Sequence, residues 1–189
     1  MSAILQYVSL GLCLLALLFF VIGCIGFSND HDVVENVSWI MIDTGPTTIY
    51  YGLKEATTSK GGGGSYEDCK DVSDTCDQCN DDGKGAFALI FIATLLTAAT
   101  AGFSGFLSQA TEANMTLGTV TIVLSILAVG ASLISLAIFM GGCYNEIDDS
   151  TNEDLEWGPG SVLSIIGLLI MAAVAVIQVL TTCIWKPAA

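Results

Sequence analysis

Residues 69–79 read CKDVSDTCDQC, three thiols set among acids within eleven positions. Thiols so spaced either oxidise to disulfides or, as thiolates, ligate a soft metal such as zinc. Cys143 supplies a fourth sulfur outside the apolar stretches. Cys69, Cys76, Cys79 and Cys143 therefore suffice for two bridges, with three connectivities, or for one four-thiolate zinc site. The expected arrangement is one bridge within 69–79 and one from that segment to Cys143, with Cys24 as a competing partner. Cys76-Asp77-Gln78-Cys79 is a CxxC, but a redox pair needs a βαβ context that is absent here. The neighbouring acids Asp71, Asp74, Asp77, Asp81 and Asp82 are hard oxygen donors, weak candidates for calcium. Their spacing lacks the alternating ligands and sixth-position glycine of an EF-hand, so a solvated acidic face is expected. Asn29-Asp30-His31-Asp32 is expected as a hydrated linker. It holds the one histidine of the chain, so no nucleophile–base pair can be assembled in the apolar stretches. The chain is expected not to be an enzyme and to need no cofactor.

The elements that must position these residues are apolar. Four stretches, 4–26, 86–108, 115–141 and 160–185, contain no charged residue in a chain of 189. As helices each reaches about 35 Å, enough for a hydrocarbon core of about 30 Å. A charge at mid-membrane costs about 2.5–3.5 kcal/mol on insertion scales, which these segments avoid. The first is longer than the core of a signal peptide and no basic residue precedes it, so it is read as a span. The expected fold is an all-α membrane protein, a four-helix transmembrane bundle carrying a small extracellular β-sheet domain stapled by disulfides. Within the spans, Ala98/Gly102, Ala101/Gly105, Ala128/Ser132 and the alanine-rich run 171–175, MAAVA, supply small residues that allow close helix packing inside the bundle. Gln6, near an end, is expected to face headgroups; Gln178 either bonds a neighbouring helix or is merely tolerated.

Four spans place both termini on one side, with the short link 109–114. The loops 27–85 and 142–159 lie on the other side and carry eighteen of the nineteen acids. The net charge of −14 excludes nucleic acid and an anionic membrane surface as partners. Lysine placement favours the wrong side: Lys54, Lys60, Lys70 and Lys84 are in the large loop and only Lys186 is opposite. The cysteines suit an oxidising compartment, and Asn36-Val37-Ser38 is a glycosylation acceptor, so the loops are expected outside the cell and the termini in the cytoplasm, at the plasma membrane. The acceptor Asn114-Met115-Thr116 abuts a span and is discounted.

In the large loop, 37–42 and 47–53 read as strands around the turn Asp43-Thr44-Gly45-Pro46. Residues 59–65, SKGGGGS, read as a flexible insert.

This layout, with Trp39, then Gly52-Leu53, then Cys69 and Cys76 or Cys79, resembles the claudin-like superfamily of claudins, peripheral myelin protein relatives and calcium-channel gamma subunits. The family signature is W…GLW…C…C; Lys54 stands at the second tryptophan, and Cys69 comes late. Protist amastins and their fungal relatives share the layout. The resemblance implies a left-handed bundle under a small outer sheet, and a role in adhesion, barrier formation or as an accessory subunit. Expected partners are membrane lipids and other membrane or extracellular proteins, with homo-oligomers open. A pore fed by an acidic vestibule is the alternative.

Overall fold

The computed structural model describes residues 2–109, 115–151 and 154–184. In chain order the elements are α1 (Ser2–Ile25), α2 (His31–Val37), β1 (Ile40–Asp43), β2 (Thr48–Tyr51), β3 (Glu55–Thr58), β4 (Gly63–Ser65), α3 (Tyr66–Cys69), α4 (Asp74–Gln109), α5 (Met115–Phe139), α6 (Asn145–Ser150), β5 (Leu155–Trp157) and α7 (Pro159–Val179). A π-turn, Met140–Tyr144, joins α5 to α6, and a second, Leu180–Ile184, follows α7. The link 110–114, with the Asn114 acceptor, and the tail 185–189 lie outside the described residues.

Four helices are long and apolar enough to cross a membrane, and the four charge-free stretches fall on them. Each of α1 and α5 packs on both α4 and α7, so the helices stand at the corners of a square. Along the axis small side chains meet a few large ones: Cys13, Ala16 and Phe20 of α1, Ala93 of α4, Ala128 of α5 and Met171 of α7 are fully buried. Large apolar side chains face outward instead, among them Leu14, Leu18, Leu95, Ile126, Leu133 and Leu169. Apolar residues all round a helix mark a surface solvated by lipid. Of the small-residue pairs, Ala128/Ser132 is buried and Gly105 lies under Leu10 of α1. Ala98 and Gly102 differ from expectation: both are exposed on the outer face of α4 and take no part in bundle packing.

Hydroxyls fill much of the remaining interior. Thr100, Thr121, Ser132 and Ser164 return their protons to carbonyls of their own helices, and Ser135 Oγ reaches across to the Ala86 carbonyl at 2.7 Å. Near the open end of the bundle the glutamines find one another. Gln178 Nε2 has three oxygens within hydrogen-bond distance of its two protons, Gln6 Oε1 at 3.3 Å, Ser9 Oγ at 2.7 Å and Ser104 Oγ at 2.9 Å, while Gln6 Nε2 donates to Thr181 Oγ1 at 3.2 Å. Gln6 is therefore buried, not turned to headgroups as expected, because a primary amide in hydrocarbon needs partners, and Gln178 of α7 and Thr181 of the turn after it supply them. Gln178→Ala strips this knot and should destabilise the bundle by about 1 kcal/mol, at most about 2, in reversible detergent unfolding.

A five-stranded antiparallel sheet, ordered β4-β3-β2-β1-β5, closes one end of the bundle. This end of the molecule departs from the sequence reading in five ways. Residues 29–32 open a helix: Asp30 caps α2, its carboxylate accepting from Asp32 N at 3.1 Å, and Val34 is buried beneath. The first strand consequently starts at Ile40, not 37. The glycine insert is ordered, because Gly61 and Gly62 adopt φ of 74° and 134° and turn the chain so that β4 pairs with β3. A fifth strand comes from the second loop, Ile40 facing Trp157 and Ile42 facing Leu155. Finally, α4 starts at Asp74, so the acidic cysteine segment is largely helix; Asp74 and Asp77 in its first turn favour the positive end of the dipole.

Candidate functional site

The sheet, α2, α3 and the first turns of α4 form a polar cap, and its attachment starts from Trp39. The indole is fully buried, sits edge-on to Phe139 with centroids 5.2 Å apart, and donates from Nε1 to the Gly23 carbonyl at 3.2 Å. Its backbone spans both sides of the sheet, N–H to the Tyr51 carbonyl and C=O from the Gly158 N–H. The Gly52-Leu53 pair follows β2 in a tight turn, Gly52 N donating to Glu55 O at 2.9 Å and Leu53 N to Gly26 O at 2.8 Å. The Leu53 carbonyl lies directly against Gly83 of α4, where any Cβ would strike it. Trp39 and Leu53 thus fasten the sheet to the tips of α1, α4 and α5.

The sulfurs pair as Cys69–Cys76 and Cys79–Cys143. The first closes the short loop between α3 and α4. The second is buried in the core with Trp39, Ile40, Leu53 and Phe139, and ties α4 to the π-turn after α5. Cys24 stays a free thiol beside Thr94 Oγ1 at 3.6 Å; Cys13 is free and buried, Cys183 free and exposed.

The acids are dispersed. Asp71 lies on the turn before α4; Asp74, Asp77 and Asp81 are exposed along one face of that helix; Asp82 accepts from Gln78 Nε2 at 2.6 Å. Among the described residues no three histidine, cysteine or acid side chains are grouped to hold a metal ion. Glu67 is clasped by Lys70 and, at 2.8 Å, by Lys84 of α4, which joins α3 to α4. Hydrogen bonds from Lys70 and Lys84 hold its carboxyl down at about 2. The sign follows: the clasp is fully formed above the usual carboxylate range and is lost as pH falls through about 2. A carboxyl titration by NMR should show Glu67 deprotonating well below the usual range for glutamate.

Two buried polar residues of the cap gave no sequence signal. Tyr66 is buried and donates its hydroxyl to the Gly52 carbonyl at 3.0 Å; burial, with Tyr51 and Glu55 nearby, raises its pKa well above that of a free phenol. Glu55 is the one buried carboxylate among the described residues, with His31 Nδ1 of α2 at 3.2 Å from its Oε1. Along β3 burial alternates, with Glu55 and Thr57 buried and Ala56 and Thr58 half-buried. Asn36, the acceptor asparagine, is exposed on α2, its Nδ2 donating to the Asp32 carbonyl.

Between β3–β4 and the α3–α4 corner lies a groove of about 390 Å³. Ile49, Tyr51, Ala56 and Tyr66 line it along with the Cys69–Cys76 bridge. Compared with models of known protein families and with curated proteins, the chain finds no match.

Proposed function

We propose that this chain is a claudin-like integral membrane protein that acts by protein–protein association through its cap, as an accessory subunit or a membrane-organising or adhesion component. The observation that carries the reading is the construction of the cap. A folded polar platform, held by two disulfides, is seated rigidly on an apolar bundle by Trp39 and Leu53. Such a platform presents a fixed surface, which is what recognition needs. The cap faces the outside of the cell and the termini the cytoplasm: disulfides form in oxidising compartments, and Asn36 is an exposed acceptor for a glycan. The claudin-like assignment is supported by two of the motif residues, Trp39 and Leu53, meeting in one core. The pore reading is weaker, because the bundle axis is filled by Phe20, Ala93, Ala128 and Met171.

A photo-crosslinking side chain placed at the exposed Val72 in native membranes should capture a specific protein, whereas one at the outward-facing Leu95 should capture lipid. Capture of no protein from Val72 and its neighbours on the cap would refute the reading.

A further inference from the structure

We infer that Asn36 accepts a glycan only in the newly made chain, before residues 155–160 close over Ser38, and that the finished cap is not a substrate for that modification. The inference rests on the reading that the cap faces the outside of the cell. It adds which state of the chain is modified there.

A glycosylation acceptor has two working parts, the asparagine amide that takes the sugar and the hydroxyl two residues on. The transferring enzyme reads both from one extended stretch of chain. The finished fold parts them. Asn36 is exposed on α2, its Nδ2 returned to the Asp32 carbonyl at 2.7 Å, whereas Ser38 is fully buried. Asn36 and Val37 are helical, and only Ser38 leaves the helix.

What covers Ser38 comes from the second loop. The Gly160 N–H donates to the Ser38 carbonyl at 2.8 Å, and the Gly158 N–H to the Trp39 carbonyl at 3.0 Å. Gly158 lies so close that a Cβ there would strike the Ser38 carbonyl and crowd its hydroxyl. That hydroxyl finds no hydrogen-bond partner among the described residues. A buried, unpaired hydroxyl costs the fold, so Ser38 does not serve the finished cap through its bonding.

Residues 155–160 are made about 120 residues after Asn36, which at about 5–20 residues per second leaves the acceptor open for about 6–24 s. In that window Asn36 Nδ2 attacks C1 of a lipid-pyrophosphate-linked oligosaccharide. The nitrogen–sugar bond forms and the sugar–pyrophosphate bond breaks. The amide gives up one proton and the lipid pyrophosphate leaves.

The full chain is tested in two states, with site occupancy read by mass spectrometry. In the first it is translated into microsomes with the transferase active. In the second it is made without the transferase and folded in phosphatidylcholine nanodiscs. Only then is it given a single-subunit oligosaccharyltransferase and the lipid-linked oligosaccharide. Asp71→Asn is the internal standard. It places the same Asn-Val-Ser triplet on the turn before α4, where Val72 is 85% exposed and Ser73 is half-buried rather than sealed.

Microsomes should modify Asn36 and the introduced site alike, and Ser38→Ala should abolish modification at Asn36 alone. The folded chain should take a glycan at the introduced site and at least about tenfold less at Asn36, which then waits on local opening. Gly158→Val, which keeps the loop from closing over Ser38, should restore Asn36 as an acceptor in the folded state. The inference is overturned if the folded chain with Gly158 intact is modified at Asn36 as fully as at the introduced site. It is also overturned if Gly158→Val leaves Asn36 unreactive, or if microsomes modify the introduced site and leave Asn36 bare. In each of these cases the outward-facing cap stands. If microsomes modify neither site, the outward-facing cap falls and this inference falls with it.

Discussion

Trp39→Ala will cost the cap about 4 kcal/mol of stability. The side chain is fully buried between the sheet and the helix tips, and truncating a buried tryptophan loses about 3–5 kcal/mol through lost burial and the void left behind. Its edge-on contact with Phe139 and its bond to the Gly23 carbonyl go with it. Hydrogen exchange in nanodiscs gives the readout: amides of β1 to β3 should lose protection by roughly a thousandfold, while those of the axial helices are unchanged. Trp39→Phe separates the causes. It keeps an aromatic ring but leaves the Gly23 carbonyl without its donor, so about 1–2 kcal/mol should be lost. Protection retained in the alanine variant would mean that the sheet is held by its strand pairing alone.

The second large effect concerns Cys79 and Cys143, replaced together by alanine. Their separation of 64 residues corresponds to about 4 kcal/mol of loop-closure entropy for a chain free in water. This chain is not free. The two cysteines sit at the same end of α4 and α5, neighbours in the bundle, so lipid keeps their surroundings close even when the cap unfolds. A loss of about 2 kcal/mol is therefore expected, partly from the space left by two buried sulfurs. The bridge Cys69–Cys76 spans only seven positions and has no such external tether, so its removal should cost a similar amount, about 2 kcal/mol. Denaturant titration of the cap measures both. A full 4 kcal/mol for the Cys79–Cys143 pair would mean that α4 and α5 separate when the cap opens.

What could be read in advance follows from how local each signal is. The four spans are written in the absence of charge over 23 residues or more, a property of contiguous sequence. Helix ends beyond the apolar stretch are not written there. Asp74 to Asp82 looks like a loop by composition, yet it is helix because its acids suit an N-terminus and Cys79 is held by Cys143. The strand Gly63–Ser65 has no propensity of its own; it exists because β3 offers an unpaired edge and two glycines can make the turn. The start of α2 is legible against the linker reading: Asp30 precedes Val33, Val34 and Val37 at helical spacing. Gln6 and Gln178 stand out in the sequence as polar residues in apolar spans, but a bond between residues 172 positions apart belongs to the packing. The groove is the least legible feature, since its lining comes from two strands, a short helix and a bridge, none of which implies the others.

The helix α4 runs 36 residues from Asp74 to Gln109 without a break, about 54 Å, well beyond the thickness of the hydrocarbon core. One rod therefore belongs to both the bilayer and the platform above it. Along that rod there is no hinge at the membrane boundary, and the disulfide to Cys143 couples the neighbouring rod to it. Torque applied to the platform is passed straight into the lipid, so a molecule that grips it fixes the inclination of all four spans at once.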